Sequence, residues 1–241
     1  MWNKLNHFRR LLRVSVWKTL FFNFHMLPFS QAVKLPIILT RNTYFYNLSG
    51  IVKIKGDVKF GMIRFGFMGE DTNVWKNDRA LINISGSIIF KGSVRFGVGV
   101  SLRVENFGTL QMGNNILMNY KTKLICYDSI IIEDDCNIAW DVQILDTDLH
   151  FMRNTLNNTV SSRTAPVKIG RSNWIGNSVS IQKGAHTADY CIIASGSIVN
   201  SKSISCENSI IAGSPAKIVK NNYTYILCEE EAAVISSFNY K

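Results

Sequence analysis

Residues 169–220 read IGRSNWIGNSVSIQKGAHTADYCIIASGSIVNSKSISCENSIIAGSPAKIVK. Within this stretch Ile169, Ile175, Ile181, Ile193 and Val199 fall on a spacing of six, with Thr187 in the slot between. Four residues after these slots stand Asn173, Val179, Ala185, Cys191 and Ser197, all small or medium in size. Gly170 and Gly176 follow the first two anchors directly. The same spacing occurs in Ile132, Ile138 and Ile144, in Met112, Met118, Leu124 and Ile130, and in Ile82, Ile88, Val94 and Val100. An amphipathic helix places apolar residues three and four apart, and a half-buried strand places them two apart. A period of six fits neither. It suits a coil with short strands as flat sides, each burying one large residue near a corner. The small residue two positions before the next anchor lets the chain turn. Stacked coils then share one continuous core.

The interruptions carry information too. The phase slips by two between Ile130 and Ile132, and fails for longer between Ile144 and Ile169. That second gap, 146–167, is rich in Asn, Thr, Ser and Asp and reads as a loop extruded from the coil. Loops of such length in compact domains are usually functional or disordered. Residues 66–80 (GFMGEDTNVWKNDRA) read as a second irregular excursion. Residues 224–241 contain ILCEEEAAVISSF, the pattern of a C-terminal helix that covers the last coil, as repeat folds require at their ends. The expected organisation is a basic, amphipathic segment over 1–50, a coil over 51–222 and a helix over 223–241.

The 241 residues suffice for one substantial core, and the 46% hydrophobic content excludes a disordered chain. A formal charge of +10 favours anionic partners without choosing among them. Cys126, Cys136, Cys191, Cys206 and Cys228 form no close pair, which argues for a reducing compartment, here the cytoplasm, and for buried thiols. Residues 4–24 (KLNHFRRLLRVSVWKTLFFNF) are interrupted by Lys18 and lack a small-residue cleavage site, so they do not read as a signal peptide. They are also too short and too charged to span a bilayer. A helix with Leu5, Phe8, Leu12, Val16 and Leu20 beside Lys4, Arg9, Arg10 and Arg13 would lie on an anionic membrane surface through residues 1–25. The other reading is a helix that packs on its own domain.

The pieces VKIG, NWIG, ASGSIV and AGSPAKIVK, in this order, resemble the signature region of hexapeptide-repeat acyltransferases. DTDLH at 146–150 resembles the loop that bears the catalytic histidine of that family. The resemblance covers about residues 108–222 and is nearest to O-acetyltransferases of bacterial capsule, O-antigen and other surface polysaccharides. It implies an all-β, left-handed parallel β-helix. It implies transfer of an acetyl group from acetyl-CoA to a sugar hydroxyl, with no metal and no covalent acyl-enzyme. It also implies a homotrimer whose sites form between neighbouring subunits.

A free hydroxyl is a poor nucleophile, so the transfer needs a base, and histidine, with an ordinary pKa of ~6.5, suits the task. Of His7, His25, His150 and His186, only His150 lies on the extruded loop. A base is usually held by a hydrogen bond at its other ring nitrogen. Asp146 is the favoured partner, with Asp148 or a backbone carbonyl as alternatives. By resemblance, the backbone at Asn177, Ser195 and Gly196 lines the pantetheine arm and Trp174 walls its thioester end. The same resemblance implies that Lys217 and Lys220 meet the nucleotide phosphates. Asn200 and Ser201 stand where Thr-Lys is common in the family, a departure that would weaken the phosphate contacts or move them towards Lys202. Trp140, Tyr120 and Arg163 are candidates to line an acceptor pocket.

Other readings are a small-molecule acetyltransferase acting on a xenobiotic, amino acid or sugar nucleotide, and an inactive β-helix scaffold. A carbonic-anhydrase-type metal site needs three histidines, and only His150 and His186 lie in the repeat region. The aromatics are not interleaved with Lys and Arg as in nucleic-acid platforms, so no nucleic-acid partner is expected.

Overall fold

The computed structural model describes residues 13–67 and 78–226, together with residues 230, 231, 234 and 235. The chain winds as a three-sided prism. Ile37–Leu39 opens the first face, Thr43–Leu48 the second and Ile51–Ile54 the third, before Ile63–Phe65 returns to the first face one rung on. Among the described residues nine strands stack on the first face, seven on the second and five on the third. Neighbours within the faces are parallel up to the last strand. Ser209–Gly213 then turns back into Ala216–Asn221 as an antiparallel hairpin.

The anchors point into one shared interior. On the second face Ile82, Leu102, Leu124, Ile144, Ile181 and Val199 lie in one register column. All six are buried. At ~1.5–3 kcal/mol for each large aliphatic side chain taken from water, such columns drive the coiling. Thr187 takes its slot because its hydroxyl accepts from the Gly170 amide at 3.1 Å, which satisfies a polar atom in an otherwise apolar column. Asn173, Val179, Ala185, Cys191 and Ser197 are buried beneath the corners, as the repeat requires. The slip between Ile130 and Ile132 is not a break in the coil. Both residues lie in Ser129–Ile132 and both point inward, because the strand is long enough to bury alternate residues.

The coil begins at Ile37, inside the stretch 1–50 that the sequence reading set apart. The helix Val16–Met26, capped by Ser15, closes this end. Its buried face is Thr19, Phe22, Asn23 and Met26, whereas Val16 and Leu20, expected on the apolar stripe, are exposed. Asn23 and Thr19 sit one turn apart on the helix. Asn23 accepts from the Ile37 amide at 3.1 Å and donates to the Ile37 carbonyl at 2.7 Å, and Thr19 accepts from the Leu39 amide at 3.1 Å. The helix therefore satisfies the open edge of the first strand, which otherwise invites pairing with another chain. No helix among the described residues is long and apolar enough to cross a membrane. Leu5, Phe8, Leu12, Lys4, Arg9, Arg10 and His7, most of the excursion at 66–80, and most of the expected C-terminal helix lie outside the described residues. Of that last element, residues 230–231 and 234–235 are helical.

Candidate active site

The arm bearing His150 leaves the coil after Gln143–Leu145 and rejoins it at Val167–Ile169, at the corner between the second and third faces. Its root is a short antiparallel ladder. Thr147 bridges Thr164, the Asp148 amide donates to the Arg163 carbonyl at 2.8 Å, and the Ala165 amide donates to the Asp146 carbonyl at 3.0 Å. Farther out, Met152–Arg153 pairs with Val160–Ser161. The Lys183 ammonium, from the coil, pairs with Asp148 at 2.5 Å and donates to the Ser162 carbonyl at 2.7 Å. One cation thus clamps both limbs of the arm. His150 stands exposed on it, and its ring makes no hydrogen bond among the described residues.

The expected pairing of Asp146 with His150 is not formed. Asp146 is fully buried, and its two carboxylate oxygens accept from the Tyr127 and Asp128 amides, each at 2.8 Å. It pins the preceding rung at the foot of the arm. Burial first, then the charge of Asp146 and a hydrogen bond to it, push the Cys126 thiol far above its ordinary range. Asp148 is engaged by Lys183. On the same arm, the Arg163 guanidinium lies 5.2 Å from the centroids of both the Phe151 and the Tyr127 rings. Tyr127 in turn accepts from Arg103 at 3.0 Å. Tyr120, a candidate pocket residue, is buried, while Trp140 is exposed.

Trp174, Asn177, Ser195 and Gly196 come together at another corner, between the first and second faces, on consecutive rungs. Ser195 Oγ donates to the Asn177 side-chain oxygen at 2.7 Å, and the Gly196 amide donates to the Asn177 carbonyl at 2.9 Å. Gly196 has a φ of +71°, where a side chain is strained, and no atom lies within 4 Å of the place a Cβ would occupy. The backbone here is open to an approaching chain. Along the first face Trp174, Ile192, Ile210 and Lys220 form one register row. At ~4.8 Å per strand the indole and the ammonium rows lie ~14 Å apart, enough for an extended pantetheine-length arm. Lys217 neighbours Ala212 on the same hairpin and is exposed. Two residues that the sequence did not flag complete this wall. Tyr225 packs 5.5 Å from Trp174, and its hydroxyl accepts from Asn137 at 3.0 Å. No periodicity marks Tyr225, because the tail that carries it follows the last rung.

Within one chain, therefore, the imidazole and the open groove occupy different corners of the prism. Among the described residues no group of three His, Cys, Asp or Glu side chains is close enough to hold a metal ion.

Three comparisons bear on this arrangement. The chain is 30% identical over 134 residues to WbbJ of Escherichia coli (strain K12), which carries the provisional name of a lipopolysaccharide biosynthesis O-acetyl transferase; the match spans 51% of this chain and 66% of WbbJ. It is 30% identical over 121 residues to Rv3034c of Mycobacterium tuberculosis (strain ATCC 25618 / H37Rv), provisionally named an acetyltransferase, spanning 47% of this chain and 38% of that protein. The chain thus spans just under two thirds of the first relative and well under half of the second. The crystal structure of the polySia-specific acetyltransferase NeuO superposes with a TM-score of 0.56 at 17% identity, covering 86% of this chain and 90% of NeuO. The fold is accordingly a left-handed parallel β-helix. No protein-family model matches the chain.

Proposed function

We propose that this hexapeptide-repeat protein is an acetyl-CoA-dependent O-acetyltransferase that acetylates a sugar hydroxyl in surface-polysaccharide biosynthesis, with His150 as general base. One observation carries the reading: an exposed imidazole, free of partners among the described residues, stands on a braced arm extruded between rungs of the coil. The names of the sequence relatives agree with it.

The open corner fits the co-substrate. Trp174 would wall the thioester end, the backbone at Asn177, Ser195 and Gly196 would bond the amides of the arm, and Lys217 and Lys220 would face the phosphates. His150 takes the proton from the sugar hydroxyl, whose oxygen attacks the thioester carbonyl; the C–S bond then breaks, and the leaving thiolate receives that proton back from His150. Because base and groove lie on different corners of one chain, the working site pairs the arm of one subunit with the groove of the next, as in a trimer. The group that orients His150 would then also come from the neighbouring copy. A small-molecule acceptor is the alternative on the same machinery.

Thiol release from acetyl-CoA against a panel of sugars, nucleotide sugars and small hydroxyl compounds tests the reading. His150→Ala should lower turnover by about two to four powers of ten while acetyl-CoA still binds. Undiminished turnover in that variant ends the assignment.

A second reading concerns location, in the cytoplasm at the inner face of the membrane. Trp17, Phe24 and Phe29 are strongly exposed on the N-terminal cap, and exposed aromatics beside basic residues suit a bilayer interface. Pelleting with anionic vesicles should fall for Trp17→Ser/Phe29→Ser; equal pelleting of variant and wild type removes this reading.

A further inference from the structure

We infer that the outward side of the second face carries a binding groove for a further sugar unit of an extended glycan acceptor, away from the hydroxyl that reacts. The inference rests on the proposed sugar acceptor and adds to it that the acceptor is a chain rather than a single sugar.

The groove has a volume of about 480 Å³, within the usual range for ligand sites. It is lined by the apolar Leu81 and Ile125 and by the polar Asn47, Asn83, Ser85, Arg103 and Glu105. Tyr46 also lines it, with 79% of its surface exposed. An exposed aromatic ring lining a groove offers a platform for the apolar face of a pyranose. Asn83 is only 8% exposed, yet its amide oxygen has no hydrogen-bond partner. Leaving a buried acceptor unpaired is costly, so such atoms are normally satisfied. A hydroxyl or acetamido N–H of a sugar would supply the missing donor. Arg103 and Glu105 are hydrogen-bonded side by side at 2.5 Å, which presents donors and acceptors together and offsets the charge. Hydroxyl-rich, weakly charged chemistry fits this wall better than phosphate, which calls for unpaired cations.

Position ties the groove to the base. Asn47, Asn83, Arg103, Ile125 and Leu145 form one outward register column, and Leu145 is the last residue before the arm that bears His150. At ~4.8 Å per strand, Asn83 lies ~14 Å from that root. One sugar unit cannot reach from Asn83 to the base, whereas a chain of units can. Arg103, Tyr127, Arg163 and Phe151 continue the polar and aromatic path from the groove to the neighbour of His150.

The test is binding without acetyl-CoA, followed by transfer. Bacterial surface oligosaccharides of one, two and four or more units, printed as an array and then titrated in solution, are offered to the full chain. Longer probes should bind, monosaccharides should not, and Tyr46→Ala and Asn83→Ala should each weaken binding about tenfold. Lys53→Ala, on the third face, is the control and should leave binding unchanged. Tyr46 is a surface residue, so its removal leaves the core intact should Asn83→Ala fail to fold. Equal binding of monosaccharides and chains, or wild-type binding in Tyr46→Ala, overturns the groove. Chain binding that depends on Tyr46 without any acetyl transfer keeps the groove and removes the acetyltransferase reading instead.

Discussion

The coil is built in two styles. From Val167 onward the rungs are narrow: Trp174 pairs with Ile192 and Ile192 with Ile210, 18 residues apart each time. As far as Val199 the strands here are two or three residues long, and most bury one anchor. Before Leu145 the rungs are wide. Val94 pairs with Ile116, 22 residues on, and Leu124 with Ile144, 20 residues on. Most of these strands run to three, four or five residues and bury at least two side chains, such as Ile88 with Phe90 and Val94 with Phe96. A wider prism has more interior to fill. Phe65, Phe90 and Phe96 fill it, with Phe65 and Phe96 stacked at 4.1 Å and Phe90 edge-on to Phe96. The arm of His150 emerges where one style gives way to the other. Bulk sets the wide part apart, whereas close approach of backbones at glycine corners is common to both, as at Gly86 and Gly108 in the wide part and Gly176 in the narrow.

That contrast can be broken most directly at Phe96. Phe96→Ala removes the ring at the centre of the wide interior and should cost about 3–5 kcal/mol, read as a shift in the denaturant midpoint. A cost below about 1 kcal/mol would mean the wide rungs collapse freely and the distinction fails. A corner glycine should resist enlargement. At Gly176 a Cβ would stand 2.7 Å from the Ser195 amide nitrogen and 2.9 Å from the Ile193 carbonyl oxygen. Gly176→Ala should therefore cost about 1–3 kcal/mol by the same measurement, and it should weaken acetyl-CoA binding beside Asn177. The smallest effect sharpens the picture of both interiors. Burial raises the Cys136 thiol to about 12 and the Cys126 thiol further, while unfolded cysteine titrates near ~8.5. A folded value above the unfolded one gives full stability below pH ~8.5 and progressive loss above it, as the unfolded thiols ionise first. Alkaline melting curves should show this decline, and Cys136→Ser should lessen it. In native protein below that pH, alkylation should mark exposed Cys206 while Cys126, Cys136 and Cys191 stay unmodified.

The same contrast explains what could be read in advance. In narrow rungs one inward residue per side makes the period visible, and Ile169 through Val199 map directly onto the faces. In wide rungs the second inward residue shifts the count by two, so Ile130 and Ile132 read as a slip although they share one strand. Trp174, Asn177, Ser195 and Gly196 were named by resemblance, and the stacking of the rungs is what puts them at one corner. Asp146 was misread because an acidic residue four before a histidine looks like its partner. Whether it faces that histidine or the rung below depends on which amides stand nearby, and those belong to Tyr127 and Asp128.

By itself the sequence determined the coil, its interior columns and the arm that interrupts them, because burial at a fixed spacing needs no knowledge of distant residues. Tertiary structure alone decided that Lys183 clamps the arm and that Thr19 and Asn23 close the first rung. It alone put Asn83 unpaired beside Tyr46. Each of these depends on which rungs stack against one another, and rung width sets that stacking as much as the local pattern does.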